Sequence, residues 1–197
     1  DVLVNNAAVG SPKTNDDEKH YIIKTNFFSV IKLTEKLIPL LSENGKVIMI
    51  SSTVGSLNWQ GATLKQALED ENLTEQGLID LGKNVLEVIK DYPTETFLPE
   101  GSYPCSKALL NTYMRKFLPS KLKENQQCYA LCPGLCGTDM GAQFTDNAKS
   151  KEELKNKVTL QSPEEGADTP IYLINLPFEK NLELNAKFFY NRKVINY

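Results

Sequence analysis

Tyr103-Pro104-Cys105-Ser106-Lys107 sets a phenol and an ammonium four residues apart, where a loop turns into a helix. The residues that follow, Ala108, Leu109, Leu110, Tyr113, Met114 and Phe117, recur at helical spacing, so Tyr103 and Lys107 share one helix face. A free tyrosine, with a pKa near ~10, exchanges protons poorly at neutral pH, but a nearby cation favours its phenolate and draws that pKa towards the working range. The pair reads as an acid/base device, or else as a Tyr and a Lys on the wet side of an ordinary helix. Other stretches decide between the two.

Upstream, Gly45-Lys46-Val47-Ile48-Met49-Ile50 is a short apolar run of the buried-strand kind, ending in Ser51 and Ser52 and followed by Thr53, Val54 and Gly55. Earlier still, Val2-Leu3-Val4 leads directly into Asn5-Asn6-Ala7-Ala8, and later residues 127–131 lead into Cys132-Pro133-Gly134. Between the first two runs, a polar loop over residues 11–19 enters a long helix whose apolar face is Ile23, Phe27, Val30, Ile31, Leu37 and Ile38. Asn26 stands on the edge of that face, where an inward-leaning amide needs partners.

This order of Asn-Asn-Ala-Ala, Asn, Ser, Tyr-x-x-x-Lys and Pro-Gly resembles the short-chain dehydrogenase/reductase family, and the resemblance runs over essentially the whole chain. It implies an α/β fold, a doubly wound parallel sheet of the Rossmann type, of which this chain would hold four parallel strands, at 2–4, 45–50, 127–131 and 186–190. It also implies hydride transfer from a nicotinamide to a carbonyl carbon. Tyr103 would be the general acid, and Lys107 would lower its pKa and hold the nicotinamide ribose. Ser52, with Ser51 the alternative, would hydrogen-bond the substrate oxygen. Asn26 would hold its helix open around a water in the proton path, unless its role is plainly structural. Asn5 and Ala7 would lie beside the cofactor at the end of the first strand, Asn5 also bonding neighbouring strands. Pro133, Gly134, Leu135 and Thr138 would pack on the nicotinamide.

Ser52 and Tyr103 stand much further apart than in the commonest family pattern. The difference is an insertion over residues 58–100, where Leu64, Leu68, Leu78, Leu81, Val85, Leu86 and Ile89 suit short amphipathic helices and Pro93 and Pro99 end the run. Monomeric carbonyl reductases carry an insertion here, as do plant menthone and salutaridine reductases. Thr138-Asp139-Met140 and Ser162-Pro163-Glu164-Glu165-Gly166-Ala167 strengthen the carbonyl reductase resemblance, which implies NADPH, a small carbonyl substrate (aldehyde, ketone or quinone) and a monomer. Ser162, Pro163 and the two carboxylates also read as a helix start, with Ala167, Ile171, Tyr172, Ile174 and Leu176 in a buried helix after it.

With 197 residues and 41% hydrophobic content, the chain suits one globular domain with a real core. A net charge of −3, from 22 basic and 25 acidic residues, argues against nucleic acid or an anionic membrane as partner. Its apolar runs are of strand length, too short to span a bilayer. Cys128, Cys132 and Cys136 are spaced by four, but the first two bracket a strand and His20 is remote in sequence, so buried reduced thiols in a cytoplasmic setting are expected rather than a metal cluster. The chain opens at Asp1 and contains no G-x-x-x-G-x-G, so it is expected to be the C-terminal part of a longer, incomplete reductase domain; a truncated, inactive binding form is the alternative.

Overall fold

The computed structural model describes all residues except 12–14, 94–97, 99–100, 147–159, 178–181 and 197. One sheet runs in the order β1 (Val2–Asn5), β2 (Lys46–Ile50), β3 (Gln127–Cys132), β4 (Phe188–Tyr190), β5 (Lys193–Val194). The first four strands are parallel, with Leu3 beside Val47, Val47 beside Cys128, and Leu131 beside Phe189. The strand expected at 186–190 is not the last. It begins only at Phe188, because Ala186 has a positive φ of 59°. Asn191 and Arg192, with φ of 48° and 60°, then form a tight turn that returns β5 antiparallel to β4.

β2 and β3 read as unbroken apolar runs because both their faces are covered. On one side Val47, Met49, Cys128 and Ala130 meet Phe27, Ile31, Leu109 and Met114; on the other, Ile48, Tyr129 and Leu131 meet Leu173 and Phe189. Lys46 starts β2, and its ammonium donates to the carbonyls of Leu173, Ile174 and Leu176 at 3.1, 2.8 and 2.5 Å, closing a helix end.

The first long helix starts earlier than the polar 11–19 stretch suggests. α1 (Asp16–Ile23) is capped by Asn15, whose Oδ1 accepts from Glu18 N at 2.9 Å, with Asp16, Asp17 and Glu18 at its positive end. A π-helical turn, Lys24–Phe28, then joins it to α2 (Ser29–Leu37). Ile23, Phe27, Val30, Ile31 and Ile38 are buried as their spacing predicts. Asn26 is not at the edge of that face. The wider turn carries it inward, to full burial.

Residues 58–100 contribute α3 (Ala62–Glu69), α4 (Glu75–Lys83) and α5 (Val85–Val88), while Pro99 lies outside the described residues. Leu64, Leu68, Leu78 and Val85 join the main core, with Leu81, Leu86 and Ile89 half-buried against it. Lys121 pins the segment to the body by pairing Glu35 of α2 and Glu75 of α4, each at 3.0 Å. The central helix α6 (Ser102–Lys116) is therefore covered nearly all round, and its residues 102–114 are buried.

After α7 (Asp139–Asp146) comes α8 (Pro163–Asn175), which begins with the predicted cap: Ser162 Oγ accepts from Glu165 N, and the Glu165 carboxylate accepts from Ser162 N. Its inward face differs from the expectation. Gly166, Thr169 and Leu173 are buried, whereas Ile171 and Ile174 are 54% and 37% exposed. Gly166 explains the rotation, since a Cβ there would lie 2.3 Å from Cys136 Sγ, so the helix backbone itself seats on the loop after β3. Among the described residues no helix is long and apolar enough to cross a membrane.

Candidate active site

The loops that follow β1, β2 and β3 gather at the C-terminal edge of these parallel strands, where α6 also begins. Gly101, at φ 68°, makes the sharp entry to α6 and puts Tyr103 and Lys107 on its first two turns. Both are buried, at 8% and 2% exposure, so neither stands on a wet helix face. Lys107 Nζ lies over the phenol ring, 5.5 Å from its centroid, and donates to Ile50 O at 3.1 Å.

Burial governs the charge states. It pushes the Lys107 ammonium down to about 8, the nearby Cys132 sulfur acting in the opposite direction. It lifts the Tyr103 phenol well above the usual tyrosine range, and Cys132 adds to that rise. The expected lowering of the tyrosine pKa is thus not found in this structure. The cation sits over the ring face, and desolvation of the phenolate outweighs its attraction.

Ser52 follows β2 at the head of a 3₁₀ turn, Thr53–Gly55, and its Oγ accepts from Val54 N at 3.4 Å. The turn rests backbone to backbone on α6: a Cβ on Gly55 would lie 2.7 Å from the Lys107 carbonyl carbon. Ser51 points elsewhere. Its Oγ is buried with no hydrogen-bond partner among the described residues, while its N–H donates to Leu131 O at 2.7 Å. Ser52 is therefore the accessible hydroxyl of the two.

The Asn26 amide is fully engaged. Oδ1 accepts from Val9 N at 2.8 Å, and Nδ2 donates to Val9 O at 2.8 Å and to Ser106 Oγ at 3.2 Å. Asn5 is also buried, and its Nδ2 donates to Thr34 Oγ1 at 2.8 Å and Met49 Sδ at 3.2 Å, tying β1 to α2 and β2. Ala7 is exposed on the loop beyond.

The loop after β3 carries Pro133, Gly134, Leu135 and Thr138. Gly134 has φ 85°, and a Cβ on it would meet Gln161 Oε1 at 2.0 Å. Leu135 O accepts from Gln161 N at 2.8 Å, and Thr138 Oγ1 accepts from Gly141 N at 3.3 Å at the head of α7. Cys132 Sγ reaches Thr53 Oγ1 at 3.7 Å, which closes the ring from β3 to the Ser52 turn. All four cysteines are free thiols; burial pushes Cys105 and Cys128 up to about 12, and Cys136 upward as well. Among the described residues no three His, Cys, Asp or Glu side chains converge as metal ligands.

Sequence reasoning missed Ser106, Gly55 and Leu98. Leu98 packs with Ile22, Val54 and Tyr103, so the end of the 58–100 segment walls the phenol. Ser106 lies within the quoted Tyr-to-Lys stretch, but nothing in its spacing points to a partner eighty positions away.

The family model for short chain dehydrogenase matches residues 1–65. The chain is 35% identical to carbonyl reductase (NADPH) 1 of Mus musculus over 190 residues, covering 90% of this chain and 63% of that protein. With carbonyl reductase (NADPH) 1 of Sus scrofa it shares 30% identity over its whole length and 67% of the relative's. In fold it is similar to salutaridine reductase from Papaver somniferum, with TM-score 0.74 and 23% identity over 97% of this chain and 72% of that one. It is also similar to an NADPH-bound carbonyl reductase from chicken fatty liver, at TM-score 0.56 and 21% identity over 99% and 65%. The chain thus spans about two thirds of the length of the curated relatives it matches. On its order of landmarks, the cluster they form and this likeness, the chain belongs to the short-chain dehydrogenase/reductase family, on its carbonyl reductase-like side.

Proposed function

We propose that the protein to which this chain belongs is an NADPH-dependent reductase of aldehydes, ketones or quinones, with Asn26, Ser52, Tyr103 and Lys107 as its catalytic set. The observation that carries the reading is the enclosure of Tyr103 and Lys107 together beside the Ser52 turn, since a phenol and an ammonium are not buried side by side without cost. The residues also fit the nicotinamide riboside end of the cofactor. Among the described residues Lys107 has one acceptor, Ile50 O, for an ammonium that can donate three bonds, so it can still serve ribose hydroxyls. Backbone groups of Pro133, Gly134 and Leu135, with the Thr138 hydroxyl, would hold the carboxamide, and Asn5 and Ala7 would lie nearby. When bound, NADPH supplies the hydride.

The chain's own part is to receive the oxygen. Tyr103, with its pKa held high, is protonated at neutral pH and donates to the substrate oxygen as negative charge builds there. Ser52 Oγ–H donates to the same oxygen, and a donor of that kind is worth about 10²–10³-fold in rate. The Lys107 cation favours the phenolate that remains. Asn26 fixes the π-helical turn against Val9, keeping open the route by which a proton returns. Tyr103→Phe should lower ketone reduction by about 10²–10⁴-fold and leave NADPH affinity nearly unchanged. A variant that keeps a third of the wild-type kcat would sink the assignment.

The burial of α6 under residues 58–100 supports a monomer, because it removes that helix from the surface where a second copy could pack. Light scattering should give the monomer mass at micromolar concentration; a tight dimer refutes this. Four free thiols, three of them buried, suit a reducing cytoplasmic setting.

A further inference from the structure

We propose that Ser106 is a positioning residue that couples Asn26 to Tyr103 and so fixes the general acid against the π-helical turn; this rests on the proposed function. The hydroxyl is fully buried and has one proton. Asn26 Nδ2 can only donate and the Tyr103 carbonyl can only accept, so the polarity of the chain of bonds is determined. Asn26 donates to Ser106 Oγ at 3.2 Å, and Ser106 donates to Tyr103 O at 2.7 Å.

Packing alone does not call for this hydroxyl. Ala108 stands on the same buried helix without one, and a buried hydroxyl weakens a core unless it is bonded. Its partners are two members of the proposed catalytic set, from segments eighty positions apart in sequence. Tyr103 occupies the first turn of α6, where helices fray because their leading N–H groups have no helical acceptor. A second bond on the Tyr103 carbonyl stiffens that turn. At the other end, Asn26 is clamped to both the backbone N–H and the C=O of Val9, so the loop after β1, the π turn and the start of α6 are joined through one serine. Without it, one Asn26 N–H has no acceptor and the phenol is free to drift from its place.

The test compares the full chain, in its complete protein, as wild type, Ser106→Ala and Ser106→Thr, under conditions where each is folded by denaturant titration. Steady-state reduction of 4-nitrobenzaldehyde by NADPH should show kcat lowered about 10–100-fold in Ser106→Ala with KM within about twofold, the pattern of a misplaced catalytic group. Hydrogen exchange of the Asn26 side-chain amide, followed by NMR and assigned by its loss in Asn26→Asp, should be at least about tenfold faster in Ser106→Ala. Ser106→Thr, which restores the hydroxyl, should recover both. The proposal is overturned if Ser106→Ala keeps kcat within about twofold, if the Asn26 exchange is unchanged, or if folded Ser106→Thr behaves as the alanine variant does. A wild-type protein unable to reduce carbonyls would refute the proposed function instead; the exchange measurement then decides the coupling alone, faster in alanine and restored in threonine upholding it, unchanged overturning it.

Discussion

Lys107 is held where a charge is costly, and replacing it should make the protein more stable. Its pKa falls from 10.5 to about 8 on burial. At about 1.4 kcal/mol per unit, that places roughly 3 kcal/mol of destabilisation on the folded state at neutral pH. Lys107→Met keeps the apolar stem and removes the charge. It also removes the bond to Ile50 O and the contact over the Tyr103 ring, together worth about 1–2 kcal/mol, so a net gain of about 1–2 kcal/mol is expected. The sign with pH is fixed by the two pKa values. Below about 8 the lysine is charged in both states and the penalty is complete; between about 8 and 10.5 the unfolded chain holds more protons than the folded one, so the penalty fades as pH rises. Urea titrations of both proteins from pH 6.5 to 10.5 should show the methionine variant ahead at low pH and the difference closing at high pH. Reductase activity should be lost throughout, and wild-type kcat should itself fall as pH rises through about 8. A methionine variant less stable than wild type by more than about 1 kcal/mol at pH 7, or a gap that does not vary with pH, would refute the reasoning.

Gly55→Ala should cost about 1–3 kcal/mol, because its Cβ would meet the Lys107 backbone at 2.7 Å and Lys107 Cβ at 2.8 Å; urea denaturation measures the loss, and kcat should drop with it as the Ser52 turn is displaced. A protein as stable and as active as wild type would mean that the turn does not rest on α6. Ser162→Ala removes the Oγ that accepts from Glu165 N at the head of α8, and should lower stability by about 1 kcal/mol in thermal melts.

How far the sequence could be read follows from which features are local. The shared face of Tyr103 and Lys107 is an i,i+4 relation and needs nothing beyond α6 itself. The direction of the tyrosine shift is not local. It depends on α6 being enclosed by residues 58–100 and by the sheet, and Leu98 against the phenol comes from the far end of that segment. The Ser162 cap is also a short-range pattern, and it is found as predicted. The inward face of α8 depends instead on Gly166 meeting Cys136, a contact between segments, and the apolar residues Ile171 and Ile174 mislead because a close backbone approach outranks them. Asn26 shows the same limit within one helix: a regular 3.6-residue count places it at the edge, and the π turn carries it inside. β5 is two residues long and has no periodicity to detect.

Two buried lysines lie at opposite ends of the strands and differ in what surrounds them. Burial lowers the pKa of both. Lys46 stands at the start of β2, and its ammonium meets three carbonyls at the end of α8, where the helix dipole is negative as well, so its hydrogens are matched and its site asks nothing of a ligand. Lys107 stands at the other end of the strands, with one carbonyl partner among the described residues and a phenol ring beneath it. A core selected for stability alone would complete that shell as it does for Lys46, or place an apolar side chain there. Lys107 lies at the edge where the Ser52 turn, the Asn26 clamp and the Gly134 loop also converge, while Lys46 lies where the strands begin. The difference in partners between the two lysines among the described residues, rather than burial, which they share, therefore supports the proposal that the C-terminal edge of the sheet is the working end of the fold.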